Sequence, residues 1–295
     1  MTTHTTPTSL HTSTASHHGH GHSAHGAQGH EGGHHVHNFN DIGKWVQRLE
    51  GKERDEMQRP IEVLSLLGLQ MVSQPPAPPS PPSPPSDLFG KDQKHDSGSA
   101  EKTASKDYPV DKATEPERAT VVSTTAVPTS SKTIADIGAG TGYFAVRLAR
   151  ATSGTVFAVD TESAMVTYVN YRAKAEHLSN LVALQGTAST PPKFPESLDA
   201  VLLVHSFHHM ESKDRVSYLK ALSKFLKPSG VLLVVEYKPD APGDRPPKAM
   251  RLDPGTVTKE FQQAGLIPVV DDGCAALTKK SELHYHLLFR VQEVE

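Results

Sequence analysis

The chain reads as an α/β domain built on a mostly parallel sheet with helices on both faces. From Thr133 onward, short and nearly continuous apolar runs alternate with helical stretches, the pattern of strands buried on both sides. The first run ends in a glycine-rich turn, Gly138-Ala139-Gly140-Thr141-Gly142, where strand-to-helix turns of such sheets meet their ligands. The apolar residues are also unevenly spread: 5 of 106 fall in residues 1–33 and 13 in residues 74–133, leaving 88 for the 202 residues of 34–73 and 134–295. About 200 residues can therefore form one core, and the rest bury too little to offset the entropy of ordering them.

Taken in order, residues 1–37 hold 11 of the 18 histidines and read as a disordered tail. Neutral imidazoles at that density are expected to bind divalent metal weakly, without a fixed geometry. Residues 38–73 are different: Phe39, Ile42, Trp45, Val46 and Leu49 recur at helical spacing, and Pro60 opens a second apolar helix closed by Gly68. These two helices need a surface to pack on. Residues 74–132 begin with eight prolines between Gln74 and Ser86 and continue polar and aperiodic, the signature of a disordered Pro/Ser-rich insertion.

The core occupies 133–295. Strands are expected at Thr133–Asp136, Thr155–Val159, Leu181–Gln185, Leu198–Val204, Val231–Tyr237, Leu266–Val270 and Glu282–Val291. Helices are expected at Phe144–Ala151, around Met165–Leu178, through Val216, Leu219, Leu222 and Leu226 up to Pro228, and from Asp253-Pro254 to a cap at Gly265.

Composition excludes several classes. The longest apolar runs are five residues, Ala200–Val204 and Val231–Val235, against the ~20 a membrane helix needs. The start lacks the pattern of a secretory or transit peptide, so a cytoplasmic or nuclear address is expected. Cys274 is the single cysteine, which leaves no internal disulfide and no thiolate metal cluster. With 30 basic and 33 acidic residues the chain has no overall positive field, and no nucleic-acid partner is expected.

The informative motif is Asp136-Ile137-Gly138-Ala139-Gly140-Thr141-Gly142. Its glycines permit a sharp turn and a close ligand approach, and the following helix offers free amides. A dinucleotide fingerprint would require glycine at Tyr143, and a P-loop would require Lys-Ser or Lys-Thr after the last glycine. An acid, Asp160, ends the second strand, where a carboxylate can accept the hydroxyls of a ribose.

Thr133–Arg150, Val156–Asp160, Leu198–His209 and Leu226–Glu236 together resemble, in order and spacing, the class I S-adenosylmethionine-dependent methyltransferases. The run Glu53–Pro60 followed by an apolar helix is similar to the N-terminal helices of small, mostly bacterial members of that class. The resemblance implies a Rossmann-like seven-stranded sheet with an antiparallel last strand and an N-terminal helical lid. It implies S-adenosylmethionine as cofactor, with Asp136, Gly138, Ala139, Gly140 and Gly142 at its methionine portion and Asp160 at its ribose. Many members read the adenine with an acid after the third strand. Here Gly186-Thr187-Ala188 stands there, so Thr187 is the expected contact.

The expected activity is methyl transfer to a small-molecule acceptor, an in-line displacement in which positioning does most of the work. The alternative is a non-catalytic cofactor-binding or metal-responsive module on the same fold. A base, if the acceptor needs one, is sought where the fourth and fifth strands end, among His205, His208, His209 and Glu236, with His205, His208 and Glu236 as catalytic candidates and His205, directly after the fourth strand, expected to contact the cofactor as well. Tyr143, Phe207 and Trp45 are aromatic candidates near the sulfonium. The helix at 41–50 is expected to act as a lid, with Arg54 and Gln58 facing the site.

Overall fold

The computed structural model describes residues 42–51, 53–69, 82–83, 128–244 and 246–292. The histidine tail, nearly all of the proline-rich stretch, Phe39 and Arg245 lie outside them. Three short helices come first: α1 (Ile42–Leu49), α2 (Glu53–Gln58) and α3 (Pro60–Leu66). The core then runs β1 (Ile134–Ile137), α4 (Tyr143–Ala151), β2 (Val156–Asp160), α5 (Ser163–Ala175), β3 (Leu181–Gln185), β4 (Leu198–Val204), α6 (Ser212–Ser223) and β5 (Leu226–Tyr237). It closes with α7 (Pro254–Gln263), β6 (Leu266–Val269), α8 (Asp272–Lys280) and β7 (His284–Val291).

The seven strands form one sheet in the order β3-β2-β1-β4-β5-β7-β6. β7 runs antiparallel to both of its neighbours, and the other pairings are parallel. The expected fold class therefore holds. Strand alternation sends side chains to two cores. One gathers Ile134, Leu202, Val204, Leu233, Val235 and Leu288 under α3, α4, α5 and α8. The other gathers Ala135, Ile137, Leu203, Val234 and Phe289 under α6 and α7.

Two helices escape the sequence reading. In α2 the sequence ERDEMQ has no apolar periodicity, and α8 is a mixed segment started by Asp271, whose carboxylate accepts from the Cys274 amide. β5 starts five residues before the expected Val231: Leu226 pairs with Leu198, and Val231 pairs with Ala200. The extra residues Lys227–Gly230 loop out as an irregularity and do not end the strand.

The N-terminal helices are fastened to the core by charge. Glu50 accepts hydrogen bonds from Arg172 Nη1 on α5 and from Thr141 Oγ1 in the glycine turn, both at 2.7 Å. Arg172 also pairs with Glu176, and the side chains of Glu50, Arg172 and Glu176 are 5%, 0% and 4% exposed. Lys132 reaches back to the Leu67 carbonyl at 2.6 Å, joining the end of α3 to the approach to β1. Pro82 and Ser83 carbonyls accept from Tyr168 and Tyr171 hydroxyls on α5. Among the described residues no helix is long and apolar enough to cross a membrane.

Removing one member of the buried triad strands the others. Arg172→Leu is expected to lower stability by about 3–5 kcal/mol, the usual cost of leaving a buried charge unpaired. Urea denaturation of the full chain measures it.

Candidate active site

β1 delivers Asp136 and the glycine turn to the carboxyl end of the sheet. The turn is pinned to β2, since the Gly138 and Ala139 amides donate to the Val159 carbonyl at 2.8 and 3.0 Å. Gly138 and Gly142 have φ of +76° and +86°, a region costly for residues with a Cβ. At Gly138 a Cβ would lie 2.4 Å from Ser206 Cβ, so the turn after β4 can sit against the turn after β1 only because residue 138 has no side chain.

Asp160 stands beside the turn as expected. Its Oδ2 accepts from the Gly140 amide at 2.8 Å and its Oδ1 from the Glu162 amide at 3.0 Å. Burial raises its pKa, and these main-chain donors pull it back. A carboxylate has about four acceptor positions, so capacity remains for hydroxyl donors. Thr187 is exposed, and its hydroxyl donates to the Thr190 carbonyl within its own loop.

Asp136 is 3% exposed, and its Oδ2 has no hydrogen-bond partner among the described residues. Burial, helped by the charge of Asp160 and opposed by Arg54, pushes its pKa up to about 7. An unpaired buried carboxylate oxygen next to a glycine turn suits a cationic ligand group, such as the ammonium of an amino acid.

α2 closes this space from above. Arg54 lies over the Tyr143 ring, 4.0 Å from its centroid, donates to the Leu49 carbonyl, and gives its Nε–H to Gln58 Oε1 at 2.9 Å. Arg147 packs 3.8 Å from the Tyr143 ring centroid, and both Arg147 and the Tyr143 hydroxyl donate to Asp55. Tyr143 is thus an anchor for α2. Leu49 Cδ1 reaches within 3.4 Å of where a Cβ on Gly140 would be. Trp45 packs instead with Ile42 against Met165 and Tyr168 on α5. Phe207 packs on Phe261 in the opposite core.

At the end of β4, His205 adopts φ +53°, unusual for a residue with a side chain and a mark of a functional or tightly determined position. Its Nδ1 lies 3.3 Å from Gln58 Nε2, while its Nε2 is buried without a partner. Its ring lies 4.2 Å from the Tyr237 ring and 4.4 Å from the His284 ring. Burial first, then the charges of neighbouring histidines and Arg54, hold its pKa well below the usual imidazole range.

His208 and Glu236 are brought together elsewhere. Alternation along β5 places Tyr237 on the same face as Asp136 and sends Glu236 to the face under α6 and α7. There Glu236 Oε1 accepts from the Phe207 and His208 amides, and Oε2 from His208 Nδ1 at 2.7 Å. Both oxygens thus hold the turn that follows His205. His209 is exposed, with its ring 4.2 Å from that of His208. In the loop before α7, Arg251 donates to the Ala241, Gly243 and Pro246 carbonyls and closes that loop on itself.

The sequence reading missed His284 and Tyr237. Tyr237 is the last residue of β5 and His284 the first of the antiparallel β7, and the two pair in register. The signal was present in His284-Tyr285-His286, an alternation that puts both histidines on the face of Asp136.

The family model for a methyltransferase domain matches residues 134–230, from β1 into β5. That stretch carries the glycine turn, Asp160 and His205, so the site described above lies in a segment similar to methyltransferase domains. An S-adenosylmethionine-dependent methyltransferase from Aquifex aeolicus shares the fold at a TM-score of 0.57 and 16% identity, covering 84% of this chain and 97% of that one. Another from Clostridium acetobutylicum aligns at 15% identity and a TM-score of 0.44, covering 55% and 85%. The Aquifex protein depends on S-adenosylmethionine. The glycine turn, the unpaired oxygen of Asp136 and the acid at the tip of β2 fit the amino-acid and ribose groups of that cofactor. Among the described residues no cluster of three or more metal-ligating side chains occurs.

The turn is sterically tuned, which gives a test. Gly138→Ala is expected to lower stability by about 1–3 kcal/mol, as for other strained backbone positions, and to weaken S-adenosylmethionine binding at least tenfold. Adding Ser206→Gly to the same chain should recover part of both losses, as read by thermal unfolding and calorimetric titration.

Proposed function

We propose that this domain transfers a methyl group from S-adenosylmethionine to a small-molecule acceptor bound beneath α1 and α2. The observation that carries the reading is the buried, unpartnered oxygen of Asp136 beside the glycine turn, in a space closed by α2. When bound, the cofactor supplies a methyl group on a sulfonium, an activated carbon whose leaving group needs no proton.

The residues divide the work. Asp136 would take the cofactor's ammonium, and the Gly138–Gly142 turn, with Ala139 and Gly140 at its tip, would lie along the methionine portion. Asp160 would accept the ribose hydroxyls, and the Gly186–Thr187 main chain would border the adenine. α1 and α2 act as the lid: Arg54 and Gln58 line its underside, and Leu49 covers Gly140. Excluding water in this way strengthens each charge interaction beneath the lid and keeps donor and acceptor in line. His205 faces the acceptor. His208 and Glu236 serve as positioning residues, since their hydrogen bonds fix the turn that aims His205.

Titration of Asp136 makes the reading testable by pH. A carboxyl with a pKa near 7 in the free protein must lose its proton to pair with an ammonium. Affinity for S-adenosylmethionine should therefore rise about tenfold per pH unit below about pH 7 and level off above it. Calorimetric titration across pH 5.5–8 measures this, and Asp136→Asn should flatten the profile. In the same assay Asp160→Ala should weaken binding by about tenfold or more, the worth of a charged hydrogen bond. Absence of binding by the unaltered chain refutes the reading.

A further inference from the structure

Beyond the cofactor turn, His205, His284 and Gln58 lie together on the Asp136 face, and the methyl-transfer reading leaves open what their polar atoms recognise. Hydrogen bonds fix the proton position on His205. Arg54 donates to Gln58 Oε1, so the other end of that amide is its NH₂ group, and this NH₂ is the atom facing His205 Nδ1. Nδ1 of His205 must then accept, which puts the proton of the neutral ring on Nε2. That N–H is a buried donor with no partner among the described residues.

The ring of His284 lies against the Met57 main chain of α2. Its Nε2 has no partner among the described residues, and the residue is 1% exposed, so this nitrogen is buried as well. The two rings are tilted by 36° with centroids 4.4 Å apart, and neither Nε2 hydrogen-bonds to the other ring. Burial holds the pKa of His284 at about 4, and Arg54, Lys238 and the neighbouring histidines also disfavour a charge on this face, so both rings are neutral at physiological pH.

We infer that His205 Nε2–H and His284 Nε2 together form the acceptor subsite, one donor and one lone pair that read a hydroxyl group, and that the domain is therefore an O-methyltransferase of alcohols, phenols or enols with His284 as proton acceptor. The inference rests on the methyl-transfer reading above. A hydroxyl oxygen has two lone pairs: one accepts from His205 while the other attacks the methyl carbon. A neutral amine has one lone pair, which it cannot both give to His205 and use in attack. A carboxylate or phosphate would meet the lone pair of His284 with another acceptor. In the step itself the carbon–oxygen bond forms as the carbon–sulfur bond breaks, sulfur keeps the electron pair, and the hydroxyl proton passes to His284 Nε2. Tyr237 packs against both rings and holds them in place.

Long-range ¹H–¹⁵N correlation spectra of the ¹⁵N-labelled full chain at pH 7 test the subsite without any substrate. His205 should report the Nε2–H tautomer and His284 the Nδ1–H tautomer, both neutral; the same tautomer on both, or a charged ring, overturns the proposal. In parallel, the chain is incubated with S-adenosylmethionine carrying a ¹³C methyl and a small-molecule extract, and the ¹³C shift of the product methyl is read. An O-methyl product supports the subsite, and N- or C-methyl products overturn it. Where the extract contains no acceptor, the tautomer result decides. His284→Gln keeps a hydrogen-bond acceptor but loses the base, and should cut turnover of the O-methylated compound by about 10²-fold or more with S-adenosylmethionine affinity changed less than twofold. Unchanged turnover in a variant that still binds the cofactor overturns the role of His284. Failure of the unaltered chain to bind S-adenosylmethionine strikes the underlying reading instead.

Discussion

The ion pair between Glu50 and Arg172 is the constraint on which the arrangement above the sheet depends. Arg172 is fully buried on α5, and such a charge persists only with its partners in place. One partner, Glu176, is on the same helix, but the other comes from the end of α1. Glu50 also accepts from Thr141, so a single carboxylate joins the N-terminal helices, the glycine turn and α5. A second bond of the same kind, Asp55 to Arg147 and Tyr143, ties α2 to the start of α4. α2, a short polar helix with little apolar surface of its own, thereby acquires a fixed place.

Once α2 is fixed, the electrostatics of the space beneath it follow. Arg54 is drawn out of water over Tyr143, where it acts on Asp136 and on the histidines with opposite effect. It stabilises the Asp136 carboxylate against burial, and it opposes protonation of His205 and His284. One guanidinium thus favours a negative charge where an ammonium would sit and neutral rings where an acceptor would sit. Glu236, at the end of β5, is turned to the other face and occupied by the Phe207 and His208 amides and by His208 Nδ1, so it does not pair with His205 or His284.

Much of this was legible in the sequence, and the parts that were not share a cause. The strands were readable because each is apolar on both faces, and the glycine turn because its spacing rules out the common alternatives. Asp160 could be placed because the tip of the second strand is next to that turn in any sheet of this order. α2 was invisible because its six residues carry one apolar side chain, so tertiary ion pairs and not amphipathic burial make it a helix. Glu236 draws attention in the sequence because a carboxylate at a strand end suggests chemistry, whereas the period of two along β5 turns its neighbour Tyr237 to the Asp136 face. His284 was missed because β7 is last in sequence but enters between β5 and β6, and only that topology brings its first residue beside His205.

The same topology makes the proposed acceptor subsite conditional on the place of α2. The proton on His205 is directed by Gln58, and the ring of His284 lies against the Met57 main chain, both in the last turn of α2. If α2 moves away to admit a cofactor, His205 loses the bond that sets its tautomer and gains water as a partner in its place. Return of α2 would restore that donor and expel the water in the same movement. Completing the site only on closure is a common way for enzymes to tie chemistry to a committed ligand. In this domain the coupling needs no long-range relay, because Arg54, Met57 and Gln58 lie within five residues of one another on a helix that Asp55 latches to the core.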